Sequence, residues 1–265
     1  MVAGGGFGVR ADCVTLWVGD ALGPVERACL RSILRHGHSV ALYCYRKPAG
    51  IPAGVEVRDA SAILPQDRIP PEWWGRADLY SDWFRYVLLQ RGLGTWVDSD
   101  IYLVAPLDME KPYLFGVEDA PMLNNAVLRT PPDSPLLPRL LEPFVRRTTP
   151  RWMPLRKYLP MRAREILTGR VDLAKIPWGT TSPRALTALT LEYGLHDLAE
   201  PQERFYPMPW QQARWILDPA VSIDDVTTAD TVAVHLWNRC IADFKNEPAP
   251  PGSFLHRLQL EGAQP

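Results

Sequence analysis

The sequence has only four cysteines in 265 residues, Cys13, Cys29, Cys44 and Cys240, and no two of them form a C-x-x-C spacing. That pattern excludes a zinc ribbon and a disulfide scaffold, and reduced, mostly buried thiols are the expectation. Long apolar runs are missing too. Nowhere do eighteen apolar residues follow one another, so no membrane-spanning helix is expected. The opening Met-Val-Ala-Gly-Gly-Gly-Phe-Gly has no charged segment followed by an apolar one, which points to a frayed end and away from a secretory signal. Excess charge is absent as well: the net charge is −1, with 22% charged and 46% hydrophobic residues. This is the balance of an ordinary globular protein and provides no basic field for coating nucleic acid.

Proline, in contrast, is plentiful. Its 27 residues are about twice the usual ~5% share, and they concentrate after residue 105, so the second half should be loop-rich with short helices. Ahead of that point the chain alternates. Val14 to Val18 is an apolar run stopped by Gly19 and Asp20, and Pro24 to His36 carries helical spacing in Val25, Cys29, Ile33 and Leu34. Val40 to Tyr45 and Val55 to Val57 are further apolar runs, the pattern of an α/β sheet with crossover helices. Ligands of such sheets sit at the carboxyl ends of the strands. Ile63 to Trp74 is a Pro-rich connection, read either as a lid or as a surface crossover packed by its own aromatics. Tyr113 to Val117 and Met122 to Leu128 read as two more strands, with Glu118 and Asp119 as turn residues between them.

Residues 77–104 organise the whole. Leu79, Trp83, Tyr86, Val87 and Gln90 recur at helical spacing, and Gly92 and Gly94 supply a stop. A buried strand should follow, entered by Thr95, Trp96 and Val97 and left by Ile101 to Val104, with Asp98 and Asp100 interrupting it. Two ionised carboxylates cost several kcal/mol or more to bury unpaired. A positive partner is therefore expected, and a divalent cation is an economical one. Residues two apart on a strand share a face with Cα atoms roughly 6.5 to 7 Å apart, whereas hard cations hold carboxylate oxygens at about 2.0 to 2.6 Å. One direct ligand, Asp100, with the other acting through water or a substrate hydroxyl, fits that spacing better than two direct ligands. A bare Asp-x-Asp is more often a solvated turn or a helix N-cap. Here, however, Asp82 and Arg85 lie three apart on one face of the preceding helix, with Asp78 a turn earlier.

The combination Ser81-Asp82-x-x-Arg85-Tyr86, then glycine, then an aromatic, then Asp98-x-Asp100 resembles the DXD glycosyltransferases. Relatives of that family include capsular-polysaccharide sugar transferases, α-1,4-galactosyltransferases, yeast initiating mannosyltransferases and the clostridial glucosylating toxins. The resemblance implies a glycosyltransferase-A-like, Rossmann-like nucleotide-binding sheet with flanking helices. It assigns Asp82 to donor-sugar or ribose hydroxyls, Arg85 to the sugar, and Asp98 and Asp100 to manganese and the diphosphate, with magnesium compatible by ligand type. In place of the family's Gly-Gly-x-Tyr stands Leu93-Gly94-Thr95-Trp96, with Gly92 displaced by one position. Trp17 matches a tryptophan that stacks on the nucleotide base; a core tryptophan is the other reading. Asn124 and Asn125, unusual in a strand, match a segment near the donor or acceptor sugar, and amides both donate to and accept from hydroxyls.

The last apolar run, Thr231 to Leu236, ends in His235-Leu236-Trp237. In the resembling family this segment closes over metal and diphosphate, which makes His235 a metal or phosphate candidate and Trp237 a substrate contact; a lone histidine is otherwise structural. Ser182, with Pro183 at the first position, should cap a helix to Tyr193 whose amino end suits phosphate or a sugar hydroxyl. Phe205 to Trp210 looks like aromatic packing.

Between Arg139 and Arg170 nine basic residues face two acidic ones, a local +7 in a chain of net −1. Trp152, Met153, Leu155, Tyr158, Leu159 and Met161 are interleaved, which suits either an anionic lipid surface or a solvated helical face packed on its back.

The resulting expectation is a single domain over 1–265, with a nucleotide- and metal-binding half at 12–130 and an acceptor-side, closing half at 131–265. It would be a retaining hexosyltransferase using a nucleotide diphosphate-sugar, with UDP favoured because one aromatic face beside a strand end is how the relatives hold uracil. A glycan or lipid-linked acceptor, no nucleic acid partner, and a cytoplasmic location with peripheral contact at the inner membrane face complete it. Two other readings compete. One is a haloacid-dehalogenase-like phosphatase with Asp98 as nucleophile, which leaves Asp82 and Arg85 without a role. The other is a sugar-nucleotide or glycan-binding module without turnover.

Overall fold

The structure is a computed structural model that describes residues 10–73 and 75–264. The expected frayed amino terminus and Trp74 of the Pro-rich connection lie outside the described residues. In chain order the elements are β1 (Cys13–Trp17), α1 (Pro24–Arg35), β2 (Val40–Cys44), β3 (Val55–Asp59), α2 (Ala77–Gln90), β4 (Thr95–Val97), β5 (Ile101–Leu103), β6 (Leu114–Asp119) and β7 (Met122–Arg129). Then follow α3 (Leu136–Arg146), α4 (Leu155–Thr168), α5 (Pro183–Glu192), α6 (Gln202–Phe205), α7 (Ile223–Val226), β8 (Ala233–His235), α8 (Asn238–Ile241) and α9 (Phe254–Ala263).

The expected alternation is present as a mixed α/β architecture. Six strands form the central sheet in the order β3-β2-β1-β4-β7-β6. The first four are parallel, and β7 and β6 complete the sheet antiparallel. The pleat sorts side chains into two cores. Cys13 of β1, Val40 and Leu42 of β2 and Val97 of β4 join one, with Val25, Cys29 and Ile33 of α1 and Leu255 and Leu258 of α9. Val14, Ala41, Tyr43 and Trp96 join the other, with Leu79, Phe84 and Leu88 of α2 and Leu186 and Leu189 of α5. Both cores thus mix residues from before and after residue 130. The four thiols are free, and Cys13, Cys29 and Cys44 are buried.

Since α1 and α2 pack on opposite faces, the chain leaves β1 toward β2 on one side and returns to β4 on the other. The crevice between the carboxyl ends of β1 and β4 is therefore the topological switch point, where open α/β sheets bind ligands.

The acidic stretch departs from the single buried strand expected of it. The Asp98 amide makes a last rung to Ala126 O (2.7 Å), and its carbonyl then accepts from Ile101 N (3.1 Å), closing a turn. Beyond the turn β5 leaves the main sheet and pairs antiparallel with β8, Ile101 opposite His235. The two aspartates thus flank a turn at the junction of two sheets, and the strand spacing that favoured one direct ligand over two does not apply.

Two further expectations are corrected. Ser182 precedes α5 with φ −119° and ψ −100° and makes no capping bond to the helix; its hydroxyl turns to Asp82 instead. In the Pro-rich connection Trp73 is fully buried, edge-on to Trp83 and Phe144 at 5.8 and 6.1 Å, so this aromatic belongs to the core and not to a lid. No described helix is long and apolar enough to cross a membrane.

Candidate metal centre

Each part of the site arrives on a rigid element. Helix α2 presents Asp82 and Arg85 from one buried face, the β4–β5 turn carries Asp98 and Asp100, β7 brings Asn124 and Asn125, and β8 with the turn after it supplies His235, Trp237 and Asn238. One ligand atom from each of Asp98, Asp100 and His235 lies within 4.8 Å of the others.

Arg85 is the hub. Its Nη2 donates to Asp98 Oδ1 (2.9 Å) and its Nη1 to Asn125 O (2.7 Å), while the guanidinium lies over the Trp96 ring at 4.6 Å. Trp96 Nε1 also donates to Asp98 Oδ1 at 2.6 Å. Asp100 Oδ2 faces His235 Nε2 at 3.2 Å and accepts from the Asn238 amide at 2.7 Å. Partners for both acids are thus present in the protein itself, Arg85 for Asp98 and the His235 ring with the Asn238 amide for Asp100. Burial cost alone no longer calls for a cation.

What does fit a cation is the donor set. Both hydrogen bonds on Asp98 converge on Oδ1, which leaves its other oxygen for an ion, while Asp100 takes His235 and the Asn238 amide on Oδ2 and also accepts from its own amide. His235 Nδ1 is buried and has no hydrogen-bond partner among the described residues, the kind of orphan that asks for explanation. Two carboxylates with one imidazole make a candidate donor set for a divalent metal ion.

The electrostatics follow from these contacts. Burial, with Asp100 close by, holds the Asp98 carboxyl above its ordinary range in spite of Arg85. Burial pushes Asp100 upward too, but His235 and the Asn238 amide outweigh it and the net direction is down. His235 is raised: burial works against its charge, and Asp100 more than offsets that. Asp82 is pushed up to about 6 by burial, opposed by Arg85 and the Thr181 hydroxyl.

Asp82 Oδ2 accepts from Thr181 Oγ1 (2.8 Å), and Oδ1 lies 3.5 Å from Asn125 Nδ2 and 3.9 Å from Arg85. Asn125 also donates to Tyr86 Oη, whose own proton goes to Thr181 O. Asp82, Arg85, Asn125 and Asp98 therefore form one bonded network, and Asp100 with His235 a second one set against it at the candidate metal position. Asn124 stands beside it, donating to Glu118 Oε2 at 2.7 Å. Trp237 packs on the His235 ring with centroids 4.0 Å apart, but its indole N–H is committed to Met208 O. Trp17 is half-buried at the carboxyl end of β1, on the other side of the switch point, and is not bonded into the network.

Several members escaped sequence reasoning. Trp96 could have been found, since it lies two residues before Asp98 in the strand. Thr181 directly precedes Ser182, at the helix end marked for a hydroxyl or phosphate contact. Glu118, read as a turn residue, and Tyr206, read as packing and now 5.8 Å from His235 by ring centroids, carried no signal.

No family model matches the chain, and no curated protein matches it. Among solved structures the chain is similar to one titled "PaToxG Glycosyltransferase", at 11% identity and a TM-score of 0.40, over 70% of this chain and 70% of that one. A likeness of that size assigns neither fold nor activity.

Proposed function

We propose that the chain is a divalent-metal-dependent glycosyltransferase that moves a hexose from a nucleotide diphosphate-sugar to a hydroxyl of a glycan or lipid-linked acceptor. The observation that carries the reading is the convergence of Asp98, Asp100 and His235 beside the switch point of a parallel sheet, joined through Arg85 to Asp82 and Asn125. The motif resemblance supports it independently.

Asp98, Asp100 and His235 would hold manganese, with Asp100 a direct ligand. Such an ion supplies charge stabilisation for the leaving diphosphate, stronger in the transition state than in the ground state. Arg85 fixes the rotamer of Asp98, so the site needs little reorganisation. Asp82 and Asn125 offer acceptors and donors for sugar hydroxyls, and Trp17 a face for uracil across the crevice. The network holds no carboxylate free to act as base on the acceptor, which agrees with the retaining outcome that the resemblance implies. The chain acts as one unit, 12–130 binding nucleotide and, with His235, metal, and 131–265 serving the acceptor and closure. A nucleophilic Asp98 is disfavoured, because it would leave Asp82 and Asn125 without a role beside it.

Thermal-shift measurements with UDP- and GDP-sugars, each with and without manganese, test the reading. UDP should stabilise the protein only when metal is present. If no nucleotide sugar moves the midpoint while a small phosphorylated metabolite does, the reading is wrong.

A further inference from the structure

Helix α4 is the least covered helix of the molecule's length class. It rests on the protein through Tyr158, Met161 and Glu165, one narrow face. Solvent-facing on the helix are Leu155 (69% exposed), Leu159 (57%), Ile166 (70%) and Leu167 (85%). At 100° per residue, Leu155, Leu159 and Ile166 fall within about 40° of arc, roughly 100° round from the packed face, with Leu167 about 80° farther on. The sequence had grouped Trp152, Met153, Tyr158 and Met161 with the two leucines as one mixed surface. The structure separates them: those four turn inward and the leucines outward.

We infer that α4 is a membrane-docking helix that seats this apolar stripe in the surface of an anionic lipid bilayer. The inference does not depend on the glycosyltransferase reading. Charge selects the occupant. Arg162 and Arg156 flank the stripe, Lys157 and Arg164 are exposed on the far side of the same helix, and Arg151 and Arg170 are exposed at the two ends of the segment. The one acid between residues 151 and 170, Glu165, is buried and bonded to the Thr149 amide (2.9 Å) and to Arg162. An exposed leucine and isoleucine stripe flanked by arginine, in a basic segment without exposed acids, matches a helix lying in the headgroup plane of anionic lipid. A second copy of the chain fits poorly, because a two-fold contact would set the same basic border against itself.

Sedimentation with sucrose-loaded vesicles tests this, comparing phosphatidylcholine alone with phosphatidylcholine mixed with phosphatidylglycerol. The wild-type protein should pellet with the mixed vesicles, and added salt should weaken that binding because it screens the headgroup charge. The variants Leu155→Glu/Leu159→Glu/Ile166→Glu and Arg156→Glu/Lys157→Glu/Arg164→Glu should each lose roughly tenfold or more of that binding. Circular dichroism and the melting midpoint should be unchanged, since every replaced side chain is exposed. Failure of the wild type to pellet with mixed vesicles, or equal binding to both vesicle types, overturns the inference. So does undiminished binding by the folded triple-glutamate variants. A dimer seen by light scattering and dispersed by the leucine substitutions would overturn it in favour of self-association.

Discussion

Asp82 meets the Thr181 and Ser182 hydroxyls, an amide and, at 3.9 Å, a guanidinium that is occupied elsewhere. Burial consequently pushes its carboxyl from 3.8 up to about 6. Between those values the folded protein binds more protons than the unfolded chain, so this group costs stability progressively as pH rises through that window. The penalty above pH 6 is on the order of 2 to 3 kcal/mol, a tenfold change in proton affinity being about 1.4 kcal/mol. Asp82→Asn should flatten that part of the stability curve in urea denaturation at stepped pH; a variant with the wild-type slope would contradict the assignment. Arg85 makes the complementary case. Lysine cannot donate to Asp98 and to the Asn125 carbonyl together while lying over Trp96, so Arg85→Lys should lose about 1.5 to 3 kcal/mol. An unchanged urea midpoint would show that the hub is not structural.

At the scale of elements, the α2–β4 connection decides where the acidic turn stands. Gly94 has φ +152°, and a Cβ there would come 2.6 Å from Ala11 O and 2.7 Å from a methyl of Val14. Gly94→Ala must push β4 away from β1, at a cost of roughly 2 kcal/mol or more. A calorimetric midpoint within a degree or so of wild type would refute this. The strands β1, β2, β6 and β7 and helices α1 and α2 were legible because apolar runs or helical periods end in glycine, proline or charge. The break at Asp98 was not, because Ile101 to Val104 reads as a continuation of Thr95 to Val97. Only the distant partner strand β8 reveals that they belong to different sheets. Similarly, Asp82, Arg85, Asn125, Asp98, Asp100 and His235 were legible as chemistry. Which side chain bonds to which was not, since Arg85 could not be seen to spend its donors on Asp98 and a backbone carbonyl rather than on a ligand.

Across the whole molecule, the three candidate ligands come from segments 135 residues apart, Asp100 and His235, joined by the pairing of β5 with β8. A cation held there binds the folded state and not the unfolded chain. Manganese at a hundred times its dissociation constant should therefore stabilise the protein by about 2.7 kcal/mol. His235→Ala should remove most of that increment and also lower the metal-free midpoint, since it strips buried Asp100 of its imidazole partner; a metal-insensitive wild-type melt would rule the centre out. The same long loop sets an order of events during synthesis. A nascent chain that has emerged as far as β7 already possesses Arg85, Asn125 and both aspartates, but Asp100 still lacks the imidazole and the Asn238 amide that orient it. Until the segment through His235 has emerged, the candidate ligand set is incomplete. Unfinished copies therefore carry two acids at the turn and no assembled site.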